Sequence, residues 1–253
     1  MTKLRYELVG REGAPAVVLS SSLGTTLELW QHQLQALADR FYVVLYDHRG
    51  HGSSEVPQGP YSVQGLAGDV VELLDELGIE RASFCGVSLG GAVGMCLAVA
   101  HPDRLDRLVL ACTSARFGVP ATWLERARQV REGGTASVEG AVVARWFTPQ
   151  AKPDDVERCR EMLLETPTEG YAACCEALAN WDFRSQLGSI EAPTLVIAGA
   201  QDPVSPFEHA ELLAHGIGAP LLVLGGTAHL ANVEQPAAFN TALLGHLLAG
   251  VPA

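Results

Sequence analysis

Positive charge is scarce in this chain: 17 lysines and arginines face 29 aspartates and glutamates, for a formal net charge of -12 at pH 7. The basic residues form no cluster, which argues against a nucleic acid or an anionic membrane as partner. A small anionic substrate is still compatible, because it needs only one or two local cations. Long apolar runs are missing as well. None approaches the roughly 20 residues that span a bilayer, and the opening MTKLRYELVGREG is too polar and strand-like for a secretory signal. The expectation is a cytoplasmic protein. The six cysteines, Cys85, Cys96, Cys112, Cys159, Cys174 and Cys175, make no C-x-x-C pair and no secreted disulfide framework. Four of them sit in apolar surroundings that suit reduced core thiols. Repeats, low-complexity tracts, metal-ligand spacings among His, Cys, Asp and Glu, and G-x-G-x-x-G or phosphate loops are all absent from the sequence. No metal and no cofactor is therefore expected.

What is present is apolar and periodic. At 253 residues and 48% hydrophobic, the chain can bury a full core as one domain with an insertion. The runs APAVVLSSS (14–22), FYVVLYD (41–47), RASFCGVS (81–88), RLVLACTS (107–114), APTLVIAGAQD (192–202) and APLLVLGGTAH (219–229) each read as a buried strand ending in a polar turn. Near-continuous Val, Ile and Leu suits parallel strands covered on both faces. KLRYELVG (3–10) reads as a further strand at an antiparallel edge. Helical patterns lie between the strands, as in residues 62–79, where Leu66, Val70, Leu73, Leu74 and Leu77 recur at helical spacing. Strands alternating with helices predict a mostly parallel α/β sheet with helices on both faces. Residues 116–186 break the alternation. They are helical in pattern, carry Trp123, Trp146 and Trp181, and are too long for a structureless connection. The expected division is a core of 1–115 and 187–253 with a helical cap of 116–186.

The stretch FCGVSLGGAVG sets four glycines and Ser88 within eleven residues, directly after a predicted strand and before a predicted helix. Gly86-Val87-Ser88-Leu89-Gly90 fits G-x-S-x-G, a strand-to-helix turn in which glycines allow close approach and the serine is exposed in a strained conformation. Without the strand and helix around it, the pentapeptide would be a modest signal, since a Gly-rich turn also suits a phosphate. A hydroxyl becomes nucleophilic when a base takes its proton, so a histidine oriented by an acid is needed elsewhere. In this topology both should follow the serine, each just past a strand. His209 and His215 fall in one helical pattern, His246 in the last and His101 at the end of the helix after the turn, which leaves His229. By the same test Asp202 is preferred over Asp103, Asp106, Asp154, Asp155 and Asp182. The oxyanion donors expected are the backbone N–H groups of Leu89, after the nucleophile, and Leu23, in the loop SSSLGTT.

YDHRGHGSS (46–54), GVSLGG (86–91) and IAGAQDPVSP (197–206) resemble the α/β-hydrolase superfamily, and SSLGTTLELW, RWFTP, GYAACCEALANWDFR and AHLANVEQP more closely resemble 3-oxoadipate enol-lactonases. The resemblance covers nearly the whole chain. It implies an α/β-hydrolase fold and cofactor-free opening of an enol-lactone to 3-oxoadipate in aromatic catabolism. Ser21 departs from the asparagine expected in the loop motif; the backbone donor is independent of that side chain. The same triad would serve a broad carboxylesterase, a carbon–carbon bond hydrolase or a cofactor-free haloperoxidase-type hydrolase. Proteins of this architecture also act as small-molecule receptors. Epoxide hydrolases and haloalkane dehalogenases of the fold would need aspartate at position 88. The lactone carries a carboxylate, whose burial requires a partner. Trp146 and Arg145 in ARWFTP are the first candidates because both side chains offer donors, with Arg116 and Arg49 as substitutes. Oligomeric state is not legible.

Overall fold

A computed structural model of the protein describes residues 2–249. Seven strands, β1 (Tyr6–Val9), β2 (Ala16–Ser20), β3 (Tyr42–Tyr46), β4 (Ala82–Val87), β5 (Leu105–Ala111), β6 (Thr194–Gly199) and β7 (Leu221–Leu224), form one sheet in the order β1-β3-β2-β4-β5-β6-β7. β1 pairs antiparallel with β3, and every other pairing is parallel. The burial of the strands matches their composition. Every residue of β2, β4 and β6 is buried, whereas the edge strand β1 is half-buried to exposed. Each strand is shorter than the apolar run that announces it. β6 stops at Gly199 and β7 at Leu224, and the polar tails beyond them are the loops that carry Asp202 and His229.

Helices α1 (Gln31–Ala38), α2 (Val63–Glu76) and α3 (Leu89–Ala100) pack among the first strands, and α8 (Phe207–Ile217), α9 (Ala231–Glu234) and α10 (Pro236–Leu247) follow β6 and β7. α2 begins where the Ser62 hydroxyl accepts the Gly65 N–H at 3.0 Å, an N-cap that satisfies an otherwise orphaned donor. α3 is buried on all sides from Leu89 to Ala98. Its uniformly apolar and small residues fit a helix with no solvent face. Between β5 and β6 the chain is helical: α4 (Pro120–Gly133), α5 (Glu139–Trp146), α6 (Pro153–Glu165) and α7 (Thr168–Ala179), with short 3-10 turns. Among the described residues no helix is long and apolar enough to cross a membrane. All six cysteines are free and buried.

Candidate active site

Ser88 links β4 to α3 with φ 57° and ψ -114°, a left-handed conformation that costs a non-glycine residue on the order of 1–3 kcal/mol. The surroundings hold it there. The Ser88 N–H donates to Ala111 C=O at 3.0 Å, and the Thr113 hydroxyl donates to Ser88 C=O at 2.6 Å. The flanking glycines are required by space. A Cβ on Gly86 would lie 2.2 Å from Gly90 backbone atoms, and one on Gly90 would lie 2.2 Å from Ser20 O. The turn is thus compressed until α3 begins directly at Ser88, at the C-terminal edge of a central strand.

Asp202 and His229 follow β6 and β7, adjacent strands. His229 Nδ1 donates to Asp202 Oδ2 at 2.8 Å, and both residues are buried. Three further donors fix the carboxylate: the Ser205 hydroxyl on Oδ2 at 2.6 Å, and the N–H groups of Val204 and Ser205 on Oδ1 at 2.8 and 3.1 Å. Burial pushes the Asp202 carboxyl up, but His229 and the Ser205 hydrogen bonds outweigh it and hold the group below the usual aspartate value. Asp202 is therefore a carboxylate at neutral pH, and with Nδ1 donating to it the imidazole presents Nε2 as acceptor. His229 and Ser88 line the same cleft. No hydrogen bond joins Ser88 Oγ to His229 in this conformation; such contacts are often long in the free enzyme and tighten when substrate binds.

Leu23 lines the same cleft, and Leu89 is the first residue of α3. Among the described residues neither backbone N–H donates to a protein acceptor. The Gly90 N–H donates to Ser21 C=O at 3.1 Å, which ties the loop of Leu23 to the start of α3. Serine at position 21 does its own bracing: its hydroxyl accepts the Trp30 indole N–H at 3.1 Å and donates to Thr26 C=O at 3.0 Å. Two histidines to which sequence reasoning assigned no role complete the support. His48 Nε2 donates to Ser21 C=O at 3.0 Å, and His51 Nε2 accepts the Gly24 N–H at 3.0 Å. Burial pulls His48 down to about 4, and burial together with neighbouring His48 pulls His51 down to about 3, so both rings are neutral at pH 7.

The opposite wall comes from the helices between β5 and β6. Trp123 and Arg126 of α4, Arg145 and Trp146 of α5, and Tyr171 of α7 line the same narrow cleft. Trp146 is buried, yet its indole N–H has no protein acceptor among the described residues, unlike those of Trp30, Trp123 and Trp181. Arg145 is exposed at the rim, and Arg126 lies with its guanidinium 4.7 Å from the Trp123 ring centroid. Neither arginine pairs with a carboxylate among the described residues. Arg126 was missed by sequence reasoning. The signal available was its position three residues after Trp123 and one before buried Ala127, beside the inward stripe of α4. The two substitute arginines do not line the cleft: Arg49 is committed to Asp69, and Arg116 lies 4.0 Å from Asp182.

A seven-stranded, mostly parallel sheet with a serine in a strained strand-to-helix turn after β4 and an Asp–His pair after β6 and β7 defines an α/β hydrolase, and the family profile described as the α/β hydrolase fold matches residues 15–236. The chain belongs to that family and, within it, to the enol-lactonase group. It is 44% identical to 3-oxoadipate enol-lactonase 2 of Acinetobacter baylyi over 95% of this chain and 91% of that protein. It is 38% identical to 3-oxoadipate enol-lactonase 1 of the same organism over 93% and 90%. An enol-lactonase structure from Burkholderia xenovorans superposes with a TM-score of 0.95 at 40% identity, covering 97% of this chain and 96% of that one.

Proposed function

We propose that this protein is a cytoplasmic serine hydrolase that opens 3-oxoadipate enol-lactone to 3-oxoadipate. The observation that carries the reading is the pairing, in one cleft, of an Asp-oriented imidazole and Ser88 with a facing wall that holds Arg126 and Arg145, neither with a carboxylate partner among the described residues, and the Trp146 indole N–H. The likeness to the enol-lactonases supplies the substrate. On this reading residues 116–186 act as the cap over the cleft.

On this reading the mechanism runs as a serine acyl transfer. His229 Nε2 removes the Ser88 proton as Oγ attacks the lactone carbonyl, and Asp202 stabilises the resulting imidazolium. The carbonyl oxygen becomes an oxyanion held by the Leu23 and Leu89 N–H groups. Such donors matter because they are fixed before charge develops. Collapse breaks the ring C–O bond, the enol oxygen takes a proton from His229, and the opened chain stays attached as an acyl-serine. Water deprotonated by His229 then attacks the acyl carbon, Ser88 leaves with the returned proton, and the released enol becomes the ketone. The acetate carboxylate of the lactone lies against the Trp146 indole N–H, with Arg145 and Arg126 supplying the counter-charge. The test is a comparison of kcat/KM for enol-lactone with that for a neutral p-nitrophenyl ester. The proposal requires a clear preference for the lactone; equal or reversed preference would identify a broad carboxylesterase.

A further inference from the structure

His229 sits in a loop whose neighbours on both sides are held from outside that loop. Before it, the Ala228 N–H donates to Glu234 Oε2 at 2.6 Å. After it, the Leu230 N–H donates to Trp146 C=O at 3.0 Å. Glu234 uses its other oxygen on the chain just past α5: Oε1 accepts the Thr148 N–H at 2.9 Å and the Thr148 hydroxyl at 2.7 Å. One carboxylate therefore clasps the histidine loop to the segment that carries Trp146, beside the direct Leu230–Trp146 bond; Glu234 makes no hydrogen bond to Ser88 or to the imidazole.

We infer that Glu234 is a positioning residue for His229, acting through the Ala228 backbone and coupling the histidine to the 146–148 segment of the helical wall. The inference rests on the reading of His229 as general base. Its logic is geometric. Peptide N–H groups flanking His229 are pinned at 228 and 230, and the Asp202 bond pins the ring. Losing one pin lets Nε2 drift relative to Ser88 Oγ, and a displacement of about 1 Å costs on the order of a hundredfold in rate. A charge-assisted acceptor is suited to the role, since carboxylate hydrogen bonds to backbone N–H groups are shorter and stronger than neutral ones. Glutamine cannot replace it in full: its amide offers one acceptor oxygen where three donors from two segments converge.

The experiment measures kcat and KM of purified wild type, Glu234→Gln, Thr148→Val and His229→Ala on enol-lactone and on p-nitrophenyl acetate, with circular dichroism to verify folding. Glu234→Gln is expected to lose kcat by roughly tenfold to a hundredfold on both substrates, with little change in KM. Thr148→Val, which keeps the backbone donor and removes the hydroxyl, is expected to lose severalfold in the same pattern. A folded Glu234→Gln protein with unchanged kcat, or with a loss confined to KM for the lactone, overturns the inference. If Glu234→Gln does not fold, Thr148→Val decides: a shared kcat loss supports the clasp, and unchanged kcat overturns it. His229→Ala keeps the two failures apart, because an active His229→Ala protein refutes the base assignment itself. A wild type active on the ester alone refutes only the choice of substrate.

Discussion

Replacing Asp202 with asparagine changes one atom and should remove almost all activity without unfolding the protein. Aspartate accepts four hydrogen bonds, two on each oxygen. Asparagine has one acceptor oxygen. If it keeps the Val204 and Ser205 N–H groups, its NH2 faces His229 Nδ1 and the Ser205 hydroxyl. Nδ1 then becomes an acceptor, the ring proton moves to Nε2, and Nε2 can no longer take the Ser88 proton. The corresponding substitution in a serine protease lowers kcat by about 10⁴, which at 1.36 kcal/mol per tenfold is about 5.5 kcal/mol of barrier. Because the Ser205 hydroxyl and Nδ1 can both turn to accept, folding is retained, with Tm lowered by only a few degrees, roughly 1 kcal/mol. The assay is enol-lactone hydrolysis followed by ultraviolet absorbance, beside thermal melts of both proteins. A folded Asp202→Asn protein within tenfold of wild type would refute the tautomer argument and with it the role of Asp202.

Other outcomes follow from the same geometry. Trp146→Phe, Arg145→Met and Arg126→Met should each lower kcat/KM for the anionic lactone by about tenfold or more, as loss of a hydrogen bond to a charged group of about 1.5–3 kcal/mol implies. A neutral ester should be processed almost as before, and equal losses on both substrates would assign these residues to support of the wall. Gly90→Ala places a Cβ 2.2 Å from Ser20 O; the overpacking should cost about 3 kcal/mol and roughly 10 °C in Tm, and a melt unchanged from wild type would contradict the compressed turn. Acid should destabilise the fold through His48 and His51. Their folded values are depressed from 6.5 to about 4 and about 3; the unfolded chain therefore binds protons that the native state refuses, and stability falls as pH drops from about 6.5 towards 3. For His48 alone the depression amounts to about 3 kcal/mol. A His48→Asn melt series as steep with pH as that of wild type would contradict this.

Much of the candidate site was legible because its residue types fall on a short motif or just past strand ends. G-x-S-x-G can be read from the chain although only the Gly86 crowding lies within the turn; Gly90 is demanded by Ser20 of a neighbouring strand. Strand ends place Asp202 and His229, and the hydrogen bond between them is a consequence of β6 and β7 being neighbours. The residues left unread depend on contacts that no short window contains. His48, His51 and Ser21 brace the Leu23 loop across 27 or more positions of chain in the first two cases, and Glu234 reaches back 86 residues to Thr148. Arg126 sits in a helix with Arg128 and Arg131, and charge alone does not say which guanidinium turns inward. The structure separates them: Arg128 and Arg131 are occupied by surface glutamates, while Arg126 faces the cleft.

The central claim is that the cleft turns over an enol-lactone at Ser88, and the most direct measurement is the consumption of excess enol-lactone by purified wild type and Ser88→Ala. The account predicts many equivalents consumed per chain, with kcat in the range of about 1 to 1,000 per second, and a fall of up to about a millionfold in Ser88→Ala. Consumption that stops near one equivalent, as a receptor would give, or a Ser88→Ala protein that hydrolyses the lactone at the wild-type rate, would contradict it.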